Sequence, residues 1–269
     1  TRNSLVIRVL DTNDYIVVEN YNNVNRRIDS IQFSDGTSLS SQEIFSLSQQ
    51  SHNYGEYLET SIENYSLNGQ GGNDIIYGSG EDDTLLGGTG NDSLYSQAGS
   101  DTLYGGAGND RLSTNGTNNT LYGDSGNDQI TGSSGSDTIY GGSGNDHLSG
   151  YQGHDTLIGG AGNDTFSMWN NSAADNDLLI FGADFGHDSI SSNSTSFSIK
   201  FIDGISSVDI DVYQRGSTLL LINNKTQDSI SIASGISNYS QALTQIEFSD
   251  GSIWTNEQIL IKAYEANAN

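Results

Sequence analysis

The sequence predicts an all-β protein built on a parallel β-roll, two nonapeptide repeats to the coil, with β-rich flanks that cap it. Three observations predict this. From Gly69 to Ser167 the chain repeats every nine residues without insertion. The eighth residue of every repeat is Ile, Leu or Phe. Alternate repeats follow different rules at their fifth and seventh positions, so the true unit is twice nine.

Composition agrees with an array of short units. Hydrophobic residues make up 33% of the chain and glycine occupies 33 positions. That supply is thin for an ordinary globular core but sufficient for a stack needing one inward apolar residue per repeat. The formal charge is −25, from 34 acidic against 9 basic residues. Self-repulsion on that scale opposes a compact state unless cations intervene, and it argues against a nucleic-acid partner.

No apolar run approaches the roughly 18 residues that a membrane span requires, and no basic, apolar stretch opens the chain, so neither a span nor a signal peptide is expected. The chain starts at Thr1, which reads as a processed or excised piece, and a monomer is expected for it as an isolated segment. Cysteine is absent, which excludes disulfides and thiolate metal sites; a bound metal is the usual substitute.

Written in nines, the repeats read GQGGNDIIY, GSGEDDTLL, GGTGNDSLY, SQAGSDTLY, GGAGNDRLS, TNGTNNTLY, GDSGNDQIT, GSSGSDTIY, GGSGNDHLS, GYQGHDTLI and GGAGNDTFS. The sixth position is Asp74, Asp83, Asp92, Asp101, Asp110, Asp128, Asp137, Asp146, Asp155 and Asp164, interrupted once by Asn119. In the odd repeats the fifth position is always Asn; in the even repeats the seventh is always Thr. A unit of two repeats gives turn, short strand, turn, short strand, with odd turns stacked on one edge and even turns on the other. The two-residue period of a strand sends position eight inward and positions seven and nine outward. Ile76, Leu94, Leu112, Ile130, Leu148 and Phe166 should then face Leu85, Leu103, Leu121, Ile139 and Leu157.

This block resembles the RTX family, the haemolysin-type nonapeptide repeats of large type I secreted exoproteins, whose consensus is G-G-x-G-x-D-x-U-x. The resemblance implies calcium held between neighbouring coils by turn carbonyls and Asp. The residues suit that role. Glycines at positions one, two and four are expected to take positive φ and turn sharply, exposing carbonyl oxygens. Asp adds a hard charged oxygen, and an all-oxygen ligand set favours calcium over zinc or copper.

The candidate ligands are Asp74, Asp92, Asp110, Asp128, Asp146 and Asp164 with Gly72, Gly90, Gly108, Gly126, Gly144 and Gly162 on the odd edge, and Asp83, Asp101, Asp137 and Asp155 on the even edge. Counting gaps between stacked turns gives roughly nine ions. The block holds 13 acidic residues against Arg111 alone, so stacking it about 4.8 Å apart without cations would be strongly unfavourable. Folding and calcium binding are expected to be one event. The weakest sites are expected near Glu81 and Thr117 to Asn119, where the even edge departs from the pattern.

The flanks resemble each other. IQFSDG at 31–36 and IEFSDG at 246–251 differ at one position, and LVI at 5–7 matches LLI at 220–222, an offset of 215. Each Asp-Gly reads as a hairpin turn. Ser40 with Glu43, and Thr255 with Gln258, read as capping boxes opening helices. LLIFGADFGHDSI at 178–190 resembles the segment that follows such repeats in secreted proteins. The expected organisation is 1–68 as the tail of a preceding module, 69–167 as the roll and 168–269 as a capping flank.

Other features have plainer explanations. The odd-edge Asn column could order water, but position three lacks the regular Thr of an ice-binding face, and Asn tolerates left-handed backbone in a turn. Leu86, Tyr104, Tyr122, Tyr140 and Ile158 form an outward stripe that could meet a sugar or a protein, or simply stabilise neighbouring strands. His147, His154 and His187 lack metal-ligand spacing, and Trp169 and Trp254 read as flank core. No H-E-x-x-H, G-x-S-x-G, G-x-G-x-x-G or Walker loop is present, so no enzymatic activity is expected. The function this implies is a calcium-binding segment of a secreted, extracellular or cell-surface-associated toxin or adhesin, folding outside the cell as export-compatible nucleus and spacer. The alternatives are a module binding a host glycan or protein, or a non-catalytic part of a secreted lipase, protease or epimerase.

Overall fold

The computed structural model of the chain describes residues 66–168, 176–192, 196–234 and 242–267, together with the strand backbones at 4–8, 15–19, 30–32, 38–40 and 57–59. The chain forms two units, Thr1–His52 and Asn53–Asn269. In the first, β1 (Ser4–Arg8) pairs antiparallel with β2 (Tyr15–Glu19), and β3 (Ser30–Gln32) with β4 (Ser38–Ser40). The Ser40–Glu43 capping box and the Asp35-Gly36 turn lie outside the described residues.

The second unit is a β-solenoid of about seven turns, about 18 residues per coil. One of its sheets stacks β5 (Tyr57–Glu59), β7 (Ile75–Tyr77), β9 (Ser93–Tyr95), β11 (Arg111–Ser113), β13 (Gln129–Thr131), β15 (His147–Ser149) and β17 (Thr165–Met168). The other stacks β6 (Ser66–Asn68), β8 (Thr84–Thr89), β10 (Thr102–Ala107), β12 (Thr120–Ser125), β14 (Thr138–Ser143) and β16 (Thr156–Ala161). Neighbours are parallel and pair each residue with its equivalent one coil on, as Leu103 opposite Leu121 and Leu112 opposite Ile130 show. The eleven expected position-eight residues are all fully buried, as two facing ladders.

The two kinds of strand are not alike. Those of the odd repeats from β7 to β15 span three residues, positions seven to nine, and β17 one more, whereas those of the even repeats run six, through positions one to three of the next repeat. The odd turn is therefore only Gly-Asn-Asp, and the even turn takes positions one to six of its repeat. The stack also starts before Gly69: Leu58 and Leu67 sit one coil ahead of Ile76 and Leu85, in register.

At the other end both sheets continue past Ser167. β18 (Asn176–Phe181) and then β20 (Ser196–Phe201) extend the even sheet, and β19 (His187–Ser192) extends the odd one, all in parallel. An antiparallel meander, β21 (Ile210–Arg215), β22 (Thr218–Asn223) and β23 (Ser229–Ser234), closes the odd sheet by laying β23 parallel to β19. The hairpin of β24 (Leu243–Glu247) and β25 (Ile253–Thr255) closes the even sheet on β20.

Its Asp250-Gly251 turn is the expected one, with Gly251 at φ +81° donating to the Phe248 carbonyl. The helix α1 (Asn256–Asn267) follows. Thr255 and Gln258 form its capping box: the Thr255 N–H donates to Gln258 Oε1 at 2.9 Å, and the Gln258 N–H to Thr255 Oγ1 at 3.4 Å.

Inside this end the ladder gives way to rings. Phe166, Phe181, Phe201, Phe248 and Trp254 touch in sequence at centroid distances from 4.6 to 6.0 Å, with Phe185 against both Phe181 and Phe201. Trp254 is buried and carries Lys262 Nζ 4.3 Å from its ring centroid. Trp169 lies outside the described residues. The aromatic cluster fills the C-terminal end of the core.

Because each inward residue packs within its own coil and against the coils above and below, removing one weakens the stack locally. Leu112→Ala is expected to cost about 2–5 kcal/mol, measured by denaturant unfolding at saturating calcium, while Arg111→Ala on the outer face should change it by less than about 0.5 kcal/mol.

Candidate metal centre

The sixth-position carboxylates are buried, one above another. On the odd edge each backbone N–H donates to Oδ1 of the acid one coil further on: Asp74 to Asp92, Asp92 to Asp110, Asp110 to Asp128, Asp128 to Asp146 and Asp146 to Asp164, all at 2.7–2.8 Å. One oxygen of each carboxylate is thus engaged by the backbone. The other, Oδ2, has no hydrogen-bond donor in Asp92, Asp110, Asp128, Asp146 and Asp164.

Those oxygens face a second set of acceptors. A Cβ on Gly105 would lie 2.5 Å from Asp110 Oδ2 and 2.9 Å from the carbonyl oxygen of Gly123, so both oxygens border the same small space. Position one is glycine because that space is already taken, and not because of positive φ, which the glycines at positions two and four adopt instead. At position four, Gly108 has φ +136°, and a Cβ there would collide with the carbonyl oxygen of Gly90. The turn carbonyls therefore point along the stack.

Burial raises these acids above the ordinary carboxylate range. Asp110 and Asp164 are pushed up to about 6, Asp128 to about 7, and Asp92 and Asp146 also rise; desolvation leads in each case, partly offset by the backbone donor. Buried acceptors facing acceptors require either a proton or a cation between them. No Lys or Arg meets these acids: the ion pairs among the described residues are Lys200–Glu247 and Lys225–Asp209, both in the flank. No three His, Cys, Asp or Glu side chains converge among the described residues, so a metal here would need backbone carbonyls beside the carboxylates. Hard, all-oxygen donors of that kind suit calcium.

The even edge, carrying Asp83, Asp101, Asp137 and Asp155, repeats the ladder with a different chemistry. Ser79 donates through both N–H and Oγ to Asp83 Oδ2, and the Ser133 N–H donates to Asp137 Oδ2 at 2.8 Å. Asn119 takes the acid's place, accepting from the Asp101 N–H and donating Nδ2 to Asp137 Oδ1 at 3.0 Å and Thr114 Oγ1 at 3.2 Å. Here protein donors fill part of the role left open on the odd edge.

The odd-edge Asn column has its own function. Each Asn N–H from Asn91 to Asn163 donates to Oδ1 of the Asn one coil earlier, at 2.7–2.8 Å. None of these Asn has positive φ. The column works through its side-chain acceptor and not through left-handed backbone.

Two members of the ladders escaped sequence reasoning. The Asp155 N–H donates to Asp177 Oδ1 at 3.0 Å, and the Asp164 N–H to Asp188 Oδ1 at 2.7 Å. Asp188 is pushed up to about 8, chiefly by burial, and Gly186 and His187 ahead of it continue the Gly-Asn-Asp turn. Both keep the acid-to-apolar spacing, Asp177 with Leu179 and Asp188 with Ile190. Longer steps hid them: the separation in sequence is 22 to Asp177 and 24 to Asp188, against 18 within the ladder. The histidines are engaged separately: His147 with Ser167, His154 with the Asn176 N–H and His187 with Ser229.

Comparison with known sequences agrees with this geometry. The RTX calcium-binding nonapeptide repeat matches in four copies, at residues 66–94, 77–112, 95–130 and 131–166. The haemolysin-type calcium binding protein related domain matches at 5–43 and 219–258. No curated protein matches the chain. Among solved structures it is similar to the extracellular lipase LipA of Serratia marcescens, at 16% identity and a TM-score of 0.34, over 78% of this chain and 40% of that one.

The raised acids set a pH dependence. A folded-state pKa above the unfolded value of 3.8 means that the folded chain binds protons more tightly. The calcium-free roll is therefore favoured at acid pH and loses that support as pH rises through about 6 to 8. Circular dichroism without calcium should show more β-structure at pH 5 than at pH 8, and the calcium midpoint at pH 5 should be higher, because protons must leave first. An Asp128→Asn variant should flatten the calcium-free dependence.

Proposed function

Because the chain is an RTX repeat protein, whose repeats are of the calcium-binding kind, we propose that this segment folds on calcium outside the cell and serves as folding nucleus and spacer of a larger secreted protein, a toxin or adhesin. The observation that carries this is the odd-edge column of buried carboxylate oxygens with no donor. At low calcium, charge repulsion and desolvation keep the column open, so the chain can pass a type I export channel unfolded. At high external calcium roughly nine ions can neutralise the stack. Asp74 to Asp164, together with Asp188, would supply the odd-edge carboxylates; Gly72, Gly90, Gly108, Gly126, Gly144 and Gly162 would supply turn carbonyls, and position-one carbonyls such as that of Gly123 border the same space as Oδ2. The even-edge acids Asp83, Asp101, Asp137 and Asp155 bind more weakly. No described helix is long and apolar enough to cross a membrane.

The outward tyrosines support the structural reading over glycan binding. Tyr104, Tyr122 and Tyr140 stack on one another at 4.8 and 4.7 Å with interplanar angles of 4° and 6°. Their faces, which a sugar would need, are spent on each other, and the stack stabilises neighbouring strands.

Calcium titration of the chain by far-ultraviolet circular dichroism, with magnesium as control, is the test. A disorder-to-β transition specific for calcium is expected. In a variant carrying Asp110→Asn, Asp128→Asn and Asp146→Asn the midpoint should rise at least tenfold, and the same change at Asp83, Asp101 and Asp137 should raise it less. A chain equally folded with and without calcium would sink the proposal.

A further inference from the structure

The two segments that match the related domain share one hydrogen-bonding register. In the C-terminal copy, Leu219 of β22 lies opposite Ile232 of β23 and Leu221 opposite Ile230. In the N-terminal copy, Leu5 of β1 lies opposite Val18 of β2 and Ile7 opposite Ile16. Each of these residues stands one position nearer its counterpart than the two Asp-Gly turns stand to each other. In the second hairpin Ile246 lies opposite Trp254 and Glu247 opposite Ile253; their counterparts are Ile31 with Leu39 and Gln32 with Ser38, at the same offset as the turns. The sequence also keeps the burial pattern. Leu5, Ile7, Ile16, Val18, Ile31 and Phe33 stand where the C-terminal copy buries Leu219, Leu221, Ile230, Ile232, Ile246 and Phe248.

The copies differ at their outer edges. β23 pairs on its far side with β19, Ile232 opposite Ile190, and β24 pairs on its far side with β20, Ile246 opposite Ile199. Through those two edges the C-terminal copy closes the roll. Among the described residues, β1–β2 and β3–β4 are each two-stranded, so the corresponding edges of β2 and β3 carry no partner strand. A strand edge with an apolar alternation behind it is a template for one further strand in a fixed register.

We infer that residues 4–43 are a roll-closing cap whose partner is the last coil of a second calcium-loaded β-roll, added in parallel to the edges of β2 and β3 that correspond to the docked edges of β23 and β24. Main-chain hydrogen bonds would give the attachment and the position-eight ladder its register. The assignment rests on the calcium reading only for what loads the partner roll.

The test is a reciprocal exchange within the full chain, placing 4–43 where 218–258 stands and 218–258 where 4–43 stands, beside the parent and a chain ending at Ser217. The calcium midpoint of the exchanged chain should stay within about twofold of the parent. Hydrogen exchange should follow position: the amides of Ile16 to Val18 should slow at least tenfold once seated beyond β19, and those of Ile230 to Ile232 should quicken as much. The inference is overturned if Ile16 to Val18 stay fast, or if the exchanged chain unfolds like the one ending at Ser217. The parent separates the two ideas. Its indifference to calcium would strike the calcium reading, while the amides decide the cap assignment either way.

Discussion

The structure depends on one constraint, the stacking of a carboxylate on a carboxylate at the spacing of β-strands. From Asp92 to Asp164 each buried acid accepts at Oδ1 the backbone N–H of the acid one coil earlier. The same contact strands Oδ2 among carbonyls. A hydrophobic ladder one residue wide cannot outweigh a column of desolvated negative charges, since burying a lone charge costs several kcal/mol. On the proposed reading the fold is conditional: its geometry is written in the repeats, and its stability is supplied by whatever neutralises the column.

Several other features follow from that column. Glycine at position one makes room for Oδ2, and glycine at position four lets the turn carbonyls line up along the stack. The neutral Asn at position five adds a second acceptor ladder without adding charge. On the even edge, Ser79 brings donors to Asp83, Ser133 and Asn119 bring them to Asp137, and Asp101 keeps an Oδ2 without one, so that edge is relieved by the protein in part. The two edges of one roll thus differ in how strongly they need a cation, which the even repeats' variable turn residues already hinted.

Much of this was legible in the sequence because a solenoid repeats its environment. The position-eight ladder, the two-repeat coil, the Asp250 hairpin and the Thr255 capping box all rest on local periodicity or local chemistry, and each is where the pattern placed it. Legibility failed where spacing changed. Asp177 and Asp188 lie further past their partners than the length of one coil, and Leu58 and Leu67 hold the register without any glycine turn to announce them. It failed also where two mechanisms favour one residue. Asn at position five suits left-handed backbone and side-chain acceptance alike, and only φ and the hydrogen bonds distinguish them.

The polarity of the two ladders explains why the roll needs its C-terminal flank. Asn N–H groups donate backward, to the preceding coil; Asp N–H groups donate forward, to the next. A coil is therefore tied in both directions and cannot order alone, which makes the array cooperative. The last coil lacks a forward acceptor unless something beyond the repeats provides it. Asp177 and Asp188 do so for Asp155 and Asp164, on strands beyond the nonapeptide block, and the aromatic cluster then closes the core behind. Asp188 is pushed up to about 8, chiefly by burial and further by the charges of Asp164 and Asp228. The charge problem of the roll thus extends into the element that terminates it, since the carboxylate that receives the last odd-edge N–H belongs to the flank.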